Sequence, residues 1–365
     1  MLWQSREFDD HEQVCFFSDE ATGLRAIIAI HSTTLGPAVG GTRFKEYETD
    51  AEAIDDALRL SRAMSYKSAL AGLPFGGGKA VVIGAPARLK GRPLLHSFGH
   101  YLNRVGPYFA TGEDVGMTVE DIDIIREVSP FVGGTSDGAG DPSVHTAAGL
   151  VHGLHAVARC RFGKSDLQGL RVAIQGLGAV GWRLAERLHA AGASLVVADV
   201  RAERTEAAAK LFGAVAMPPE QIHAADVDIY APCALGGVIT DRHAREIVAG
   251  AVAGAANNQL ASERAGEILA ERGILFAPDY VINAGGVISG LEAASQMPGR
   301  ARETLLPLDE RLTTIHDRLV EIFERSRRER TRPELVAEAI ARELIGRAQQ
   351  LHLQGDPLKA EAETL

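Results

Sequence analysis

Residues 171–181 read RVAIQGLGAVG, and they decide the fold of the second half of the chain. The run RVAIQ is typical of a buried strand, and the residues after it predict a helix. Between them, Gly176, Gly178 and Gly181 have the GxGxxG spacing, which in a strand–turn–helix setting indicates dinucleotide binding. The first glycine allows the tight turn, the second admits a pyrophosphate, and the third lets helix and strand pack closely. The amides of Ala179 and Val180 then face the phosphates at the helix start.

A second strand, SLVVADV over 194–200, carries Asp199 near its end. An acid in this place accepts hydrogen bonds from the adenosine ribose hydroxyls and repels a ribose phosphate, which favours NAD over NADP. Arg201 and Arg204 follow closely, and their positive charge weakens that preference. The sequence therefore predicts a dinucleotide site and leaves the strictness of the cofactor choice open.

The composition of the whole chain excludes several other classes of protein. Its 365 residues are 46% hydrophobic and 24% charged, which is ordinary for globular proteins of two or three domains. The net charge of −10 argues against a nucleic-acid partner. Three scattered cysteines predict neither a disulfide framework nor a zinc cluster, and we expect no metal. No apolar run is long enough for a membrane span and the N-terminus does not resemble a signal peptide, so we expect a cytoplasmic protein.

Periodicity places the other elements. Thr49 with Glu52 and Thr118 with Asp121 have the spacing of capping boxes and predict helix starts. In the second half, strands alternate with helices, which predicts a parallel sheet covered on both faces. The predicted strands are 24–31, 80–84, 171–175, 194–200, 227–231, 250–254, 274–277 and 280–283, and the predicted helices are 49–71, 144–162, 179–191 and two within 303–350 that are separated near 331–333.

Two lysines and an acidic loop are the candidates for chemistry in the first third. Lys79 follows three glycines, which favours a lysine that emerges at a ligand site, and Lys67 lies near the end of the long helix. Like charge and burial in one site lower a lysine pKa toward the range of a general base. Spacing alone supports two solvated lysines equally well. Asp114 and Glu113 are equally plausible as an acid that pairs with a lysine. On the residues alone, stabilisation of the N-terminus of the helix that Thr118 begins is a slightly better explanation of Asp114.

Two amide-bearing segments follow predicted strands in the second half. Asn257, Asn258 and Gln259 come after a run of small residues, and Asn283 precedes Gly285 and Gly286. Ligands of parallel sheets collect at the carboxyl ends of strands, where amide side chains bind carboxamides or carboxylates. Ordinary turn chemistry explains both segments as well.

Taken together, these residues resemble the glutamate/leucine/phenylalanine/valine dehydrogenase family, in its branch for hydrophobic amino acids. The resemblance extends over most of the chain and keeps the order of the family. The matching segments are GPAVGGTRF (36–44), MSYKSALAGLPFGGGKAVVIG (64–84), TGEDVGMTVEDIDII (111–125), QGLGAVG (175–181), APCALGGVIT (231–240), GAANNQL (254–260) and APDYVINAGGVI (277–288).

The resemblance implies a role for each matching residue. Lys79 is the implied catalytic lysine, Asp114 the proton-relaying acid, and Lys67 the group that binds the substrate α-carboxylate. Backbone groups of Gly40 and Gly41 are implied to approach the substrate amino group. Asn257 and Asn258 are implied to contact substrate and nicotinamide, with Asn258 nearer the substrate. Ser143, Thr146 and Asn283 are assigned to the cofactor, with Ser143 and Thr146 near the nicotinamide.

The implied reaction is the reversible oxidative deamination of a hydrophobic L-amino acid by NAD, giving a 2-oxo acid and ammonia. The positions implied to line the substrate side chain are apolar or lack a side chain: Val39, Gly112, Val287 and Gly290. This excludes a cation for a γ-carboxylate and disfavours glutamate. Leucine or valine is favoured narrowly, and phenylalanine is the alternative because Gly112 and Gly290 replace bulkier groups of the branched-chain enzymes.

The implied architecture is α/β with two domains. A substrate-binding and oligomerisation domain spans 1–143 and is completed by C-terminal helices from about 325–365, and an NAD-binding Rossmann domain spans 144–324. We expect a homo-oligomer. Two other functions stay in view: an inactive NAD-binding regulatory protein, and a 2-hydroxy-acid dehydrogenase, whose histidine–acid pair and carboxylate-binding arginine do not stand out here.

Overall fold

The computed structural model describes residues 2–136, 141–291 and 306–353, and these form two compact α/β units. The first unit contains the described residues up to 136, with 290–291 and 341–353. The second contains 141–289 and 306–340. The expected two-domain α/β class is confirmed. Residues 306–340 lie in the second unit. The sequence-based division instead assigns the residues from about 325 onward to the first domain.

The first unit combines a mixed sheet with helices on both faces. Its strands are β1 (Gln13–Asp19), β2 (Leu24–Ser32), β3 (Ala38–Val39), β4 (Thr42–Lys45), β5 (Gly76–Ile83) and β6 (Phe109–Ala110). Its helices are α1 (Asp50–Leu70), α2 (Pro86–Leu89), α3 (Arg92–Val105) and α4 (Val119–Arg126), with short 3₁₀ turns at Leu2–Gln4 and Gly106–Tyr108. Both predicted caps are present: Thr49 accepts a hydrogen bond from the Glu52 amide, and Thr118 forms a full capping box with Asp121.

Strand β5 is the central strand of this sheet. It pairs antiparallel with β2 on one side, and on the other side it pairs parallel with β3 and then with β4. The order β1-β2-β5-β3-β6 leaves β1 at one edge. Gly40 and Gly41 separate β3 from β4, so a single chain segment follows β5 in two short pieces.

The three glycines before Lys79 lie within β5 and do not form a loop. Their function is close packing. A Cβ atom on Gly77 would lie 2.0 Å from the backbone nitrogen of Ser65 and 2.5 Å from the carbonyl oxygen of Ser61, both in α1. The backbone of α1 therefore rests directly on the strand. Because alternate residues of a strand share a face, Lys79 lies on the same side of β5 as Gly77, the side that α1 covers.

The second unit is a parallel sheet with helices between its strands. The strands are β7 (Arg171–Gln175), β8 (Ser194–Ala198), β9 (Val215–Ala216), β10 (Ile229–Pro232), β11 (Ala251–Val252) and β12 (Leu275–Phe276). The helices are α5 (Pro142–Phe162), α6 (Ala179–Ala190), α7 (Ala202–Phe212), α8 (Asp241–Glu246), α9 (Glu263–Glu271), α10 (Asp279–Ile282), α11 (Gly285–Ser289) and α12 (Leu308–Glu329), with a 3₁₀ turn at Ile222–Ala224 and α13 (Pro333–Leu353) as far as residue 340.

The strand order of this sheet is β12-β11-β10-β7-β8-β9. The chain runs outward from β7 in one direction through β8 and β9, and then in the other direction through β10, β11 and β12. This is the doubly wound order, in which a nucleotide binds beyond the carboxyl ends of the two strands where the direction reverses. Those strands are β7 and β10.

One predicted strand is wrong. Residues 280–283 belong to helix α10 and the residue that ends it. The apolar run Tyr-Val-Ile is typical of a strand, but Pro278 stands immediately before the helix and Asp279 lies in its first turn. A carboxylate at a helix N-terminus is stabilising, and the two residues together fix a helix start that the apolar run conceals.

The close approach at Gly77 leads to a stability prediction. The variant Gly77→Ala is expected to lower the thermal unfolding midpoint by roughly 5–10 °C, because a methyl group there displaces the backbone of α1. The matched control is Gly91→Ala, since a Cβ at Gly91 meets nothing closer than 3.8 Å. Equal midpoints for the two variants, measured at one protein concentration, would contradict the packing described here.

Candidate active site

The first site is a buried ion pair in the first unit. The ammonium group of Lys79, on β5, donates a short hydrogen bond to Oδ2 of Asp114, and the lysine is only 6% exposed. Asp114 belongs to the segment 111–117, which is bonded along β4: the amide of Thr42 donates to the carbonyl of Gly112 at 2.8 Å, and the amide of Phe44 donates to that of Val115 at 2.8 Å. The acid therefore takes its position from the sheet.

The structure distinguishes the two candidate acids. Glu113 is exposed, and it is Asp114 that pairs with Lys79. Gly41 makes this possible, because a Cβ atom there would lie 2.9 Å from Cβ of Asp114 and 2.6 Å from the carbonyl oxygen of Glu113. The glycine pair before β4 thus admits the acidic segment to the edge of the sheet.

The pair has a proton affinity unlike that of solvated groups. Burial lowers the pKa of Lys79 from its usual value, and the charge and hydrogen bond of Asp114 offset this only in part. Burial also raises the pKa of Asp114, but Lys79 and Arg43 outweigh it and hold that pKa below its usual range. A lysine with a lowered pKa beside an ionised acid is equipped to take up and release a proton.

Two further members of this site, Arg43 and Asp56, are not among the residues predicted from the sequence. The guanidinium of Arg43, on β4, lies 3.5 Å through Nε from Oδ2 of Asp114 and 3.0 Å through a terminal nitrogen from Asp56 of α1. Asp56 also accepts hydrogen bonds from Arg59 at 2.7 Å and from the hydroxyl of Tyr47 at 2.8 Å. A signal existed: Asp56 interrupts the apolar face of α1 between Ala53 and Ala57, both fully buried.

The remaining predicted residues of the first unit lie around these elements. Lys67 is half-buried in the last turn of α1, two residues beyond the point where α1 touches Gly77. A Cβ on Gly40 would collide with the carbonyl oxygen of Gly78 at 1.8 Å. Val39 pairs with Gly77 in the sheet, and Gly112 lies two residues before Asp114. Their roles toward substrate stay predictions.

The second site is the glycine turn between β7 and α6. Gly176 has a φ of +97°, which only glycine adopts readily, and a Cβ on Gly181 would lie 1.9 Å from the Gly176 carbonyl oxygen. By contrast, nothing lies within 4 Å of the position a Cβ would take on Gly178. The turn is therefore closely packed between Gly176 and Gly181 and open at Gly178. The approach of a pyrophosphate to the amides of Ala179 and Val180 requires this arrangement.

Asp199 follows β8 beside this turn. Its side chain is 6% exposed, and it accepts hydrogen bonds from the amides of Leu177 at 2.7 Å and Arg201 at 2.9 Å. Arg204 lies 3.4 Å from the same carboxylate. Burial raises the pKa of Asp199, but these amides and Arg204 outweigh it and hold the pKa below its usual range. The two amides hold the carboxylate beside the glycine turn, and its contact with ribose hydroxyls stays a prediction.

The amide residues form another group in the second unit. Asn283 is buried and donates to Oδ1 of Asn257 at 2.7 Å and to the carbonyl of Ala255 at 3.1 Å. Asn258 is exposed and has a φ of +49°, a conformation that asparagine tolerates better than most residues.

The glycines after Asn283 bring a further pair of predicted residues close. A Cβ on Gly286 would lie 2.8 Å from the hydroxyl of Thr146, and one on Gly285 would lie 2.2 Å from the carbonyl oxygen of His145. Ser143 is buried in the first turn of α5, the helix that also contains Thr146. Val287 is half-buried in α11 and Gly290 directly follows that helix; their place beside a substrate side chain stays a prediction.

These residues fit a dinucleotide. The open face at Gly178 leaves room for phosphates over a helix start, and Asp199 offers acceptor oxygens for ribose hydroxyls. Among the described residues, no group of three or more histidine, cysteine, aspartate or glutamate side chains is arranged to hold a metal ion. Within the same part of the chain, no helix has the length and apolar character needed to cross a bilayer.

Comparison with known proteins gives one consistent result. Residues 11–129 match the family model for the Glu/Leu/Phe/Val dehydrogenase dimerisation domain, and residues 197–355 match that for Glutamate/Leucine/Phenylalanine/Valine dehydrogenase. A leucine dehydrogenase of Bacillus cereus is 44% identical over 94% of this chain and 93% of its own. A phenylalanine dehydrogenase of Bacillus thermotolerans is 44% identical over 88% and 84%. The crystal structure of L-tryptophan dehydrogenase from Nostoc punctiforme, 39% identical, superposes with a TM-score of 0.82 over 93% of this chain and 97% of that chain.

The buried pair leads to a pH-dependent stability prediction. The variant Asp114→Asn leaves a buried ammonium without its carboxylate, which we expect to cost roughly 3 kcal/mol near neutral pH. The loss shrinks as pH rises, because Lys79 then sheds its charge. It also shrinks as pH falls below about 4, the ordinary aspartate pKa, because the unfolded chain then takes up a proton. The contribution disappears only when the pH passes the lowered pKa of Asp114 in the folded protein.

Thermal unfolding midpoints between pH 3 and pH 10 measure this dependence. The control is Asp50→Asn, which removes the partner of Arg25 in a pair whose side chains are 54% and 66% exposed. An exposed pair contributes under about 1 kcal/mol and shows little dependence on pH in this range. Parallel pH curves for the two variants would mean that Lys79 is not enclosed as the structure has it.

Proposed function

The chain belongs to the Glu/Leu/Phe/Val dehydrogenase family, and we propose that it catalyses the reversible, NAD-dependent oxidative deamination of a hydrophobic L-amino acid, with leucine or valine favoured. The observation that carries the proposal is the buried Lys79–Asp114 pair. An inactive nucleotide-binding protein has no reason to retain so costly an arrangement, since a buried ion pair is a poor source of stability. A 2-hydroxy-acid dehydrogenase needs a histidine–acid pair in its place.

The pair suits the proton steps of such a reaction. When bound, the nicotinamide accepts the hydride that leaves the substrate Cα. Lys79, with its lowered pKa, takes a proton from the water that attacks the resulting substrate iminium carbon. Asp114, hydrogen-bonded to Lys79, passes that proton from Lys79 to the nitrogen. Lys79, neutral again, takes the proton of the new hydroxyl group as the carbon–oxygen double bond forms and the carbon–nitrogen bond breaks, which gives the 2-oxo acid and ammonia. In the reverse direction the same groups add ammonia to a 2-oxo acid.

The proposed substrate carries an α-carboxylate and an apolar side chain. Lys67 is proposed to hold its α-carboxylate, and Gly40 and Gly41 to offer backbone groups to its nitrogen. The positions proposed around the side chain, Val39 and Gly112 among them, carry no charge. The leucine dehydrogenase of Bacillus cereus, 44% identical over 94% of the chain, supports a branched substrate.

An aromatic substrate is the alternative. Gly112 and Gly290 are both proposed to lie around the substrate side chain, and neither carries a side chain that would narrow the space for an aromatic ring. The relatives named for phenylalanine and tryptophan, at 44% and 39% identity, support it.

We also propose that NAD is preferred to NADP, because the ionised carboxylate of Asp199 repels a ribose phosphate.

A homo-oligomer is proposed because β1 is an edge strand with Phe16 exposed, and because residues 11–129 match a model named for dimerisation.

The activity is tested by ammonia-dependent NADH oxidation. With 4-methyl-2-oxopentanoate we expect kcat/KM to exceed that with phenylpyruvate. The variant Lys79→Ala is expected to lose about 10³-fold or more in kcat with both, because the proton transfer has no acceptor. The control variant Lys164→Ala, at an exposed lysine of the second unit, should retain wild-type rates.

Faster turnover of phenylpyruvate would establish the aromatic alternative. Absence of any ammonia-dependent rate in the wild-type protein, while the dinucleotide still binds, would refute the dehydrogenase and favour the regulatory protein.

The cofactor preference is tested by binding alone. The variant Asp199→Ser is expected to shift the ratio of NADPH to NADH dissociation constants by about tenfold toward NADPH, because the repulsion of a ribose phosphate is removed. Titration of nicotinamide fluorescence gives both constants without turnover. The control is Asp226→Ser, an exposed acid three residues before β10 that pairs with Arg171. An unchanged ratio in Asp199→Ser would show that another group selects the cofactor.

A further inference from the structure

A row of alternating charges continues behind the Lys79–Asp114 pair. Asp114 lies between the ammonium of Lys79 and the guanidinium of Arg43, and Arg43 lies in turn between Asp114 and Asp56. The side chain of Arg43 is 16% exposed and that of Asp56 is 10% exposed. Charges so enclosed interact over several ångströms with little screening by solvent.

Nε of Arg43 has a special place in this row. It is buried, lies 3.5 Å from Oδ2 of Asp114, and makes no hydrogen bond within the part of the chain that the structure describes. The other end of the guanidinium is fixed, because Asp56 accepts from its terminal nitrogen at 3.0 Å and is itself held by Tyr47 and Arg59. A buried donor that faces the acid without a bond to it acts on that acid through its charge.

We propose that Arg43 and Asp56 are a positioning pair for the proposed reaction. The two act on the protonation of Lys79 in opposite directions, Arg43 acts on Asp114 as well, and neither touches substrate. Arg43 brings a positive charge to the acid and, behind it, to the lysine. Asp56 holds Arg43 in place and brings a negative charge to the same enclosed volume. The inference rests on the proposed function, because it concerns the proton affinity of the group proposed as general base.

Within the described residues, the charged and titratable groups that contact one another along this row come from four stretches of the chain. Strand β5 supplies Lys79, the segment 42–47 supplies Arg43, Lys45 and Tyr47, the helix α1 supplies Asp56 and Arg59, and the segment 111–117 supplies Asp114. Tyr47 is neutral in the working range because burial and the hydrogen bond to Asp56 raise its pKa. Arg59, whose side chain is 39% exposed, is the member of the row nearest to solvent.

The two members have opposite expected effects. Arg43 lowers the pKa of Lys79 and of Asp114, and Asp56 raises that of Lys79. The variant Arg43→Gln should therefore move the low-pH limb of kcat/KM to higher pH by about one unit, because the general base holds its proton longer. The variant Asp56→Asn should move the same limb to lower pH, and the double variant should return it toward the wild-type position.

Two variants complete the set. Arg43→Lys keeps the charge on a flexible chain and should restore most of the wild-type pH profile. Asp50→Asn, in the first turn of the same helix and paired with exposed Arg25, should leave the profile unchanged. If Arg43 and Asp56 only support the fold, both single variants will lower kcat/KM equally at every pH and the limb will stay where it is, which overturns the inference.

A second measurement needs no turnover. The chain contains seven lysines, so a protein labelled with ¹³C at lysine Cε gives few signals, and the one absent in Lys79→Ala belongs to Lys79. We expect its titration midpoint to rise in Arg43→Gln and to fall in Asp56→Asn. A midpoint that stays put in both variants refutes the positioning pair even if the wild-type enzyme is active. A wild-type protein without ammonia-dependent activity whose Lys79 midpoint moves as expected would instead refute the proposed function alone.

Discussion

The first unit is organised around an ammonium group that protein encloses almost completely. Removing a charge from water costs several kcal/mol, and the cost is recovered only if an opposite charge stands at contact distance. Lys79 meets this condition through Asp114, and the condition restricts everything nearby. The strand that carries the lysine must lack a side chain where α1 packs on it, and Gly77 meets this requirement. The acidic segment must come close to the edge of the sheet, and the absence of a side chain at Gly41 allows this.

The second unit obeys a more local constraint. Its nucleotide turn is complete within 171–181, because the positive φ of Gly176 and the contact between Gly181 and Gly176 arise from neighbours in sequence. Only Asp199 comes from further along the chain, and it is delivered by the strand that pairs directly with β7. Such a site can be recognised in a sequence, since its spacing and its geometry are two descriptions of the same short segment.

This difference explains what could be predicted. Both capping residues, the long helix after Thr49 and the glycine turn are local features, and the structure confirms them. The choice of Asp114 over Glu113 is not local: adjacent residues on an extended segment point to opposite sides, and only the pairing of that segment with β4 decides which one meets Lys79. The strand predicted at 280–283 failed because an apolar run has the same composition in a short buried helix as in a strand.

The charged row behind the acid was missed for a related reason. In Thr-Arg-Phe-Lys over 42–45, the second and fourth residues alternate with buried neighbours, a pattern that ordinarily indicates a solvated face. In this sheet that face is covered by α1, so Arg43 is enclosed and requires a counter-charge from the helix, which Asp56 supplies. An acid buried on the apolar side of a helix does not by itself stabilise the protein. The burial of Asp56 is explained by its ion pair with Arg43, and the burial of Arg43 is explained by the two acids beside it, Asp56 and Asp114. Together with Lys79 these residues form one electrostatic unit.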